Sequence, residues 1–360
     1  MQENEFLRIW TKYGRGFTRF LPAFIDNIRT YKTGGKPSRG PLGAVFNASA
    51  RCDAECPFCG YWRADPLAGN ELSTKDKLRV IEELAGAGVW LLSFCGAEPL
   101  LMHDLEELIA AAKKRGLLVN ISTNGGELQE KAPVLIRNRV DTVTVSIDSK
   151  DPYSHDKIRG YKGLYDRLSK GIARIREDRR GKRPRVIARH LVHSGNYLDI
   201  QEFVRAWYGR VDEIIFKPIM QSRDGTYKVP RECKPRPSDR KAFSSLYNKL
   251  LTSYPFLATE YHKALPDILF GEGPAKSYSC LAGTFFADID CAGNLYPCAE
   301  YGRKEGNILE EGFMPLWSSG KMAEFRKYMK SLKRCRGCWG DKFSSGITVQ
   351  KLLEFIGGTA

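Results

Sequence analysis

Residues 89–125 read VWLLSFCGAEPLLMHDLEELIAAAKKRGLLVNISTNG, and this stretch decides the fold. An apolar run that ends at Gly96 predicts a buried strand. The leucines in the middle of the stretch recur at helical spacing, and a second apolar run closes on the turn signal Asn124-Gly125. The stretch therefore predicts a strand, a helix and a second strand in succession.

The same alternation extends in both directions along the chain. Strands are predicted at 44–49, 89–95, 117–123, 142–147, 185–192 and 213–220. Helices are predicted between them at 74–86, 104–115, 131–138, 163–176 and 197–208. Since no break reverses the sheet, the pattern predicts the α/β fold class, as a partial parallel (β/α)6 barrel of the TIM type. In such barrels the chemistry lies at the carboxyl ends of the strands.

Three cysteines follow the first predicted strand. Cys52, Cys56 and Cys59 have the spacing Cys-x3-Cys-x2-Cys, with Phe58 directly before the last thiol. Three thiolates in one tight loop can hold three corners of a 4Fe-4S cluster and leave the fourth iron open to a ligand that is not protein. The alternative is a zinc site or a redox pair. Zinc would need a fourth ligand nearby, and the nearest histidine, His103, is far along the chain.

This cysteine loop resembles the signature of the radical S-adenosylmethionine (SAM) enzymes. The resemblance implies that the open iron binds the amine and carboxylate of SAM and that Phe58 lies by the adenine. It also implies a SAM contact for Gly96-Ala97-Glu98-Pro99, which is similar to the Gly-Gly-Glu-Pro motif of the family. Ala97 is a departure, but alanine also allows close backbone approach.

Further motifs of this resemblance fall at the ends of the next predicted strands. Ser122 and Asn124 look like the family's ribose and carboxylate contact, while Ser146 and Asp148 end the fourth strand. Arg159 matches an arginine that pairs with the SAM carboxylate in many relatives, a role that suits a guanidinium fork. Each motif alone is weak, because Ser and Asn at strand ends are usually turn residues or caps. Their joint order extends the resemblance from about residue 43 to 220.

Residues at the end of the fifth strand are candidates for contact with a substrate. Arg189 and His190 lie there, and histidine is the usual proton shuttle near neutral pH. The alternative for His190 is a structural role. Cys95 lies on an apolar strand and is interpreted as a small buried hydrophobe.

A second set of cysteines lies near the C-terminus. Its proposed members are Cys280, Cys298, Cys335 and Cys338. A predicted hairpin between 285 and 296 could bring the first two together. The region resembles the twitch form of the SPASM extension, which implies one auxiliary 4Fe-4S cluster and therefore two clusters in all. Cys291 is ambiguous, although the Gly-x4-Cys spacing favours Cys298, and a four-cysteine zinc site is the alternative.

The N-terminal 1–42 combines aromatic residues at three- and four-residue steps with basic ones. Such a composition suits either a cover for the barrel or, through residues 1–36, peripheral contact with an anionic membrane. Gly14, Gly16 and Pro22 predict two short helices rather than one. The chain carries 57 basic and 42 acidic residues, a net charge of +15, but the basic residues are spread, which makes nucleic acid an improbable partner. No secretory leader or membrane-spanning run is evident, so a cytoplasmic protein is expected.

Four regions and one reaction class follow. The expected regions are an N-terminal helical segment at 1–42, the barrel at 43–225, a connecting helix region at 226–270 and a small iron-sulfur domain at 271–360. The resemblance implies an oxidoreductase or transferase that cleaves SAM reductively and abstracts hydrogen from an unactivated carbon. An external donor such as flavodoxin or ferredoxin would supply the electron.

The substrate stays open at this point. A small molecule or a lipid is expected, with dehydrogenation or epimerisation of a sugar or aminoglycoside-like metabolite as an alternative. Peptide maturation is disfavoured because about forty residues before the barrel are few for a separate peptide-recognition domain. A zinc or nucleic-acid binding module is the alternative that is not an enzyme.

Overall fold

A computed structural model describes residues 17–63, 70–222, 225–271 and 280–331. Its strands form one nine-stranded sheet in the order β6-β5-β4-β3-β2-β1-β7-β8-β9. The strands are β1 (Gly43–Phe46), β2 (Leu91–Phe94), β3 (Leu118–Thr123), β4 (Thr142–Ser146), β5 (Arg185–Val192), β6 (Glu213–Pro218), β7 (Phe286–Ile289), β8 (Asn294–Tyr296) and β9 (Gly306–Asn307).

Helices separate the parallel strands, as the sequence pattern predicts. They are α1 (Phe17–Thr33), α2 (Thr74–Gly86), α3 (Leu105–Lys114), α4 (Leu128–Arg137), α5 (Pro152–Arg159), α6 (Leu164–Asp178), α7 (Ile200–Trp207), α8 (Arg240–Ser253), α9 (Glu260–Lys263), α10 (Leu265–Leu269), α11 (Ile308–Glu311), α12 (Phe313–Trp317) and α13 (Gly320–Ser331). Local caps fix several of their ends. Asp151, for example, accepts a hydrogen bond from the backbone N of Ser154 at the start of α5 (2.7 Å).

The predicted partial parallel barrel is confirmed. Strands β1 to β6 pair in parallel in chain order, and the sheet remains open rather than closing on itself. β7 adds to the free edge of β1, also in parallel, and the hairpin partner β8 then runs antiparallel. One sheet therefore continues into the C-terminal region, and the domain boundary expected at residue 271 stays a prediction.

One face of this sheet packs against the helices. Phe94, Val119 and Ala188 are fully buried there, in a single core with side chains from α2, α3, α4, α6 and α7. Successive strand residues point to opposite faces, so every second residue of each strand joins this core. The remaining strand residues define the other side, called the open face below.

The open face is polar at its centre. Asn120 donates a hydrogen bond to Ser93 Oγ (2.7 Å) and accepts from the hydroxyls of Thr142 (2.7 Å) and Thr144 (2.9 Å). Parallel strands in α/β proteins are usually apolar on both faces. A fixed polar band across β2, β3 and β4 therefore gives this face hydrogen-bonding surface rather than core.

The described part of the N-terminal segment packs on the C-terminal strands. Phe24 of α1 lies against Leu281 and Phe285, with the two phenylalanine ring centres 6.1 Å apart. The expectation of a helix break at Pro22 is wrong, because α1 runs through this proline and loses a single backbone hydrogen bond there. Residues 1–16 lie outside the described ranges. Among the helices that are described, none is long and apolar enough to cross a bilayer.

Candidate active site

The three cysteines of the first motif lie in the loop after β1, at the carboxyl edge of the parallel strands. Cys56 is buried, and Cys52 and Cys59 are partly buried. This triplet loop is tied to the segment that follows β6, since the backbone N of Gly60 donates to the carbonyl of Thr226 (2.7 Å). The loop therefore extends across the mouth of the open barrel from its first strand to its last.

The chemistry of the three thiols fits an iron-sulfur cluster. Burial raises the pKa of Cys52 to about 12 and the pKa of Cys59 to about 11, so both carry protons at neutral pH until a metal displaces them. Within the described ranges, no three Cys, His, Asp or Glu side chains converge on one point as the ligands of a single metal ion do. A cubane binds each thiolate at a different iron, so its ligands need no such convergence.

Glu98 joins two strand-end loops beneath the triplet. Its carboxylate accepts hydrogen bonds from the backbone N of Leu100 (2.9 Å), the hydroxyl of Thr123 (2.7 Å) and the backbone N of Asn124 (2.7 Å). Burial raises the pKa of Glu98 to about 7. Its backbone N donates to the carbonyl of Arg51 (2.8 Å), one residue before the first thiol. This side chain therefore positions the loops, whatever contact it makes with SAM.

The residues around Glu98 in the motif are also tightly placed. Gly96 has a φ of 98°, and a Cβ there would lie 2.7 Å from the side-chain oxygen of Asn47. Pro99 opens the short 3-10 turn Pro99–Leu101, and Ala97 lies between them. Because Gly96 allows this left-handed turn without a side chain, the chain can pass close to the loop after β1.

A residue inside the triplet loop connects it to β3. Asp53 accepts a hydrogen bond from the side chain of Asn124 (2.7 Å), which follows that strand. Ser122, two residues earlier, lies within 3.3 Å of Asn120 on the open face. Sequence reasoning missed Asp53, although its place between two motif cysteines was a signal that it would face the same site.

Arg159 and Asp148 form an ion pair beside the most buried thiol. The guanidinium Nη2 lies 2.7 Å from Asp148 Oδ2, and Nη1 lies 4.0 Å from Cys56 Sγ. Burial opposes ionisation of Asp148, but the charge of Arg159, together with smaller contributions that include the hydrogen bond from the backbone N of Leu191, holds the pKa of this carboxyl below its ordinary value. The guanidinium carbon also lies 5.6 Å from the ring centre of Phe58. The motif residues thus converge, and Arg159 faces both Asp148 and the triplet.

Gly160 brings the end of α5 against the triplet loop. It caps the helix with a φ of 61°, and a Cβ there would lie 2.6 Å from the carbonyl oxygen of Glu55. Gly163, nearby in the chain, also has a positive φ (81°), but no described atom lies within 4 Å of its Cβ position. A comparison of substitutions at Gly160 and Gly163 therefore distinguishes the effect of backbone strain from the effect of contact with the cysteine loop.

Gly160→Ala is expected to weaken iron binding by the triplet, because its methyl group must displace the backbone at Glu55. Gly163→Ala carries the strain of a positive φ alone, about 1–2 kcal/mol. Iron and sulfide per chain after anaerobic reconstitution, together with the urea midpoint, measure both. Equal losses in the two variants would contradict the proposed packing of Gly160 on the loop.

Arg189 and His190 point to opposite faces of β5. His190 is 1% exposed, its ring centre lies 4.0 Å from that of Phe203 in α7, and Nδ1 lies 3.0 Å from the carbonyl of Ile147. Burial lowers the pKa of His190 to about 4, so the ring is neutral at pH 7. This packing puts His190 on the core face, which supports its structural role over contact with a substrate. Arg189 lies on the open face, opposite Ser146 in the strand register.

The second set of cysteines is described in part. Cys280 precedes β7 and Cys298 follows β8, so the antiparallel hairpin returns both to the same edge of the sheet. Cys291 lies in the turn at the opposite edge, where its carbonyl accepts from the backbone N of Leu72 (2.8 Å). This topology supports Cys298 over Cys291 as the partner of Cys280. Cys335 and Cys338 lie outside the described residues.

Comparison with known proteins agrees with this arrangement. The family model of the radical SAM superfamily matches residues 46–206, and that of an iron-sulfur cluster-binding domain, SPASM, matches residues 280–339. The parallel sheet with a three-cysteine loop at its carboxyl edge agrees with the radical SAM family model. The chain belongs to the radical SAM superfamily and carries a C-terminal SPASM domain. These domains imply SAM and iron-sulfur clusters as its cofactors.

Individual proteins that resemble this chain have low sequence identity to it. A PqqA peptide cyclase from Granulibacter bethesdensis is 33% identical over 138 residues, which make up 38% of this chain and 37% of that protein. An AdoMet-dependent heme synthase from Methanosarcina barkeri is 23% identical over 336 residues, covering 86% of this chain and 91% of that protein. The crystal structure of SuiB from Streptococcus suis superposes with a TM-score of 0.66 at 20% identity, covering 87% of this chain and 76% of that one, and so shares the fold.

Proposed function

We propose that this protein cleaves SAM reductively at a cluster held by Cys52, Cys56 and Cys59 and removes a hydrogen atom from an unactivated carbon of its substrate. The observation that carries the proposal is the convergence of strand-end motifs on the triplet loop. Asp53 is bonded to Asn124, and Arg159 lies beside Cys56. Loops from β1, β3 and the end of α5 thus meet at one edge of the sheet.

The protein's own residues place and enclose the reactants. Cys52, Cys56 and Cys59 would hold the cluster, which would supply one electron to split SAM into methionine and a 5′-deoxyadenosyl radical; that radical would take a hydrogen atom from the substrate, giving 5′-deoxyadenosine and a substrate radical. Glu98 fixes the loops after β2 and β3, while Arg159 supplies a positive charge suited to the SAM carboxylate. The segment after β6 covers the triplet loop, since the backbone N of Lys228 donates to the carbonyl of Phe58 (3.1 Å). That cover excludes water from the reaction.

Anaerobic reconstitution tests this proposal directly. The protein should bind iron and sulfide, and with SAM and dithionite it should release 5′-deoxyadenosine. A protein that binds zinc and no iron under these conditions would instead be a zinc module. Deuterium transfer from a labelled substrate into 5′-deoxyadenosine then identifies the carbon that loses hydrogen.

The open face supports a polar, acidic substrate. Arg189 on β5 and Lys217 on β6 lie on this face, and the strand register sets Lys217 opposite Leu191, two residues beyond Arg189. The Lys217 amine also lies 5.9 Å from the ring centre of Tyr261, within reach of a cation–π contact. Arg189 and Lys217 thus provide two positive charges on the face that also carries the polar band of β2, β3 and β4. This arrangement favours recognition of a carboxylate.

We infer a peptide with an acidic side chain as the first candidate substrate, because a PqqA peptide cyclase is among the relatives. The short N-terminal segment predicted against a peptide substrate, and the similarity to a peptide cyclase favours one instead. A tetrapyrrole with propionate groups is the second candidate, because the heme synthase matches over most of both chains. Both offer carboxylates to Arg189 and Lys217, and the electron donor stays a prediction.

Arg189→Gln and Lys217→Met are each expected to raise KM for an acidic substrate by about tenfold to a hundredfold, the cost of one lost hydrogen bond to a charged group. The measured quantity is the rate at which each probe stimulates release of 5′-deoxyadenosine. The probes are a glutamate-containing peptide with its glutamine counterpart, and a propionate porphyrin with its methyl ester.

Arg205→Gln is the matched control, because Arg205 pairs with Glu202 on the outer surface of α7 (2.7 Å) and its side chain is 65% exposed. It should leave KM unchanged. Equal stimulation by the acid and the neutral form of a probe would contradict carboxylate recognition, while release without any probe would still establish SAM cleavage.

A further inference from the structure

A buried arginine lies close to Cys280, the first cysteine of the C-terminal set. Arg326 of α13 is 3% exposed and lines a small cavity together with Cys280 and Thr284. The backbone N of Ala282 donates to the Cys280 sulfur (3.4 Å), which fixes this thiol at the cavity. The cavity lies at the edge of the sheet opposite the triplet loop, by the start of β7.

Arg326 also orders the backbone that carries both thiols. Its Nε donates to the carbonyl of Gly283 (2.6 Å). A Cβ on Gly283 would lie 3.2 Å from Pro297, the residue before Cys298. The guanidinium thus fixes Gly283, which lies close to the segment that ends at Cys298.

The charge of Arg326 is incompletely compensated. Nη2 donates to the carbonyl of Trp317 (2.7 Å), and the guanidinium carbon lies 4.7 Å from that ring's centre, but Nη1 has no hydrogen-bond partner among the described residues. Burial lowers the pKa of Arg326 to about 10, which leaves it charged at neutral pH. An isolated buried cation is costly, so such groups are normally paired.

The carboxylates that act on Arg326 have other partners. Glu305 Oε1 lies 2.8 Å from Arg303 Nε, and Asp26 accepts three hydrogen bonds from the backbone and hydroxyl of Ser38 and the backbone of Arg39. A cluster with four thiolate ligands carries net negative charge. It would supply an anion next to Arg326, which forms no direct ion pair among the described residues.

We propose that Arg326 places its positive charge, and a donor from Nη1, beside an auxiliary iron-sulfur cluster held by Cys280 and Cys298 and thereby raises the reduction potential of that cluster. Net charge and hydrogen bonds to sulfur are among the main determinants of such potentials. A nearby cation favours the reduced form, because reduction adds one negative charge. The inference rests on the auxiliary cluster and not on the radical reaction.

An EPR-monitored redox titration of the auxiliary cluster tests it. The three triplet cysteines are replaced by alanine in every protein compared, so that the radical-generating cluster is absent. Arg326→Met should shift the midpoint potential to a more negative value, and Arg326→Lys should stay near the parent. Lys321→Met is the matched control, because it removes a positive charge from the exposed side of the same helix, where water and salt screen it.

Each outcome decides the question. An unchanged midpoint in a fully loaded Arg326→Met protein would overturn the proposal. Loss of the cluster from Arg326→Met but not from Arg326→Lys would support it, since charge is then what the site requires. Loss from both variants would assign Arg326 to packing alone. Iron and sulfide content, measured beside each titration, separates these results from failure of the parent to bind an auxiliary cluster.

Discussion

Cys56→Ala is expected to abolish formation of 5′-deoxyadenosine. The cluster proposed at the triplet has three thiolate ligands, and Cys56 is the most enclosed of them, 6% exposed and beside Arg159. Alanine supplies no donor, so the cluster loses one of its three attachments. With two clusters expected, iron per chain should fall to roughly half while the auxiliary cluster stays in place. Iron assay and chromatographic detection of 5′-deoxyadenosine measure the two effects.

Cys233→Ala provides the control for loss of a thiol. Cys233 is also buried, at 4% exposure, but it lies in the 3-10 turn Arg231–Cys233, away from both cysteine sets in the chain. This variant should retain full iron and full activity. Wild-type activity in Cys56→Ala would show that the triplet is not the SAM-cleaving site.

The strand-end pattern was predictable from the sequence because buried parallel strands appear as short apolar runs. Glu98, Asn124 and Asp148 each follow an apolar run, and parallel strands bring their carboxyl ends to one edge. The sequence could therefore predict that these residues meet. It could not predict that Glu98 is bonded to the loop after β3, because such contacts depend on how the loops close.

The alternation of β5 already separates its two faces. Arg185 and Arg189 alternate with Val186, Ala188 and Val192, so His190 falls in the apolar set and packs against Phe203. A position at a strand end, which made His190 a candidate for substrate contact, does not by itself decide the face on which a residue lies. Pro22 predicts a helix break from local propensity, yet packing of Phe24 on Phe285 offsets the lost hydrogen bond.

Several contacts were invisible to sequence reasoning because they join distant segments. Gly160 touches Glu55, and Arg326 holds Gly283. Neither pair shares a motif or a helical period. The fold also separates the two cysteine sites, since they lie at opposite ends of β7, a strand of four residues that spans on the order of 13 Å.

Asp148→Asn is expected to destabilise the protein without metal by about 3–5 kcal/mol, the cost of leaving one member of a buried ion pair unpaired. The side chain of Asp148 is fully buried and that of Arg159 is 11% exposed. Asparagine keeps the shape and the hydrogen bond that Oδ1 accepts from the backbone N of Leu191 (2.9 Å), but it removes the charge that faces Arg159. Urea unfolding of the two proteins measures the difference in free energy.

Asp178→Asn is the matched control, because Asp178 pairs with Arg174 on the surface of α6, where both side chains are more than 40% exposed. Its expected cost is below about 1 kcal/mol. Adding Arg159→Met to Asp148→Asn should recover much of the lost stability, since no buried charge is then left alone. The double variant should nevertheless bind SAM poorly, because Arg159 is the cation proposed for the SAM carboxylate. Equal costs for the buried and exposed variants would contradict a buried ion pair at the triplet loop.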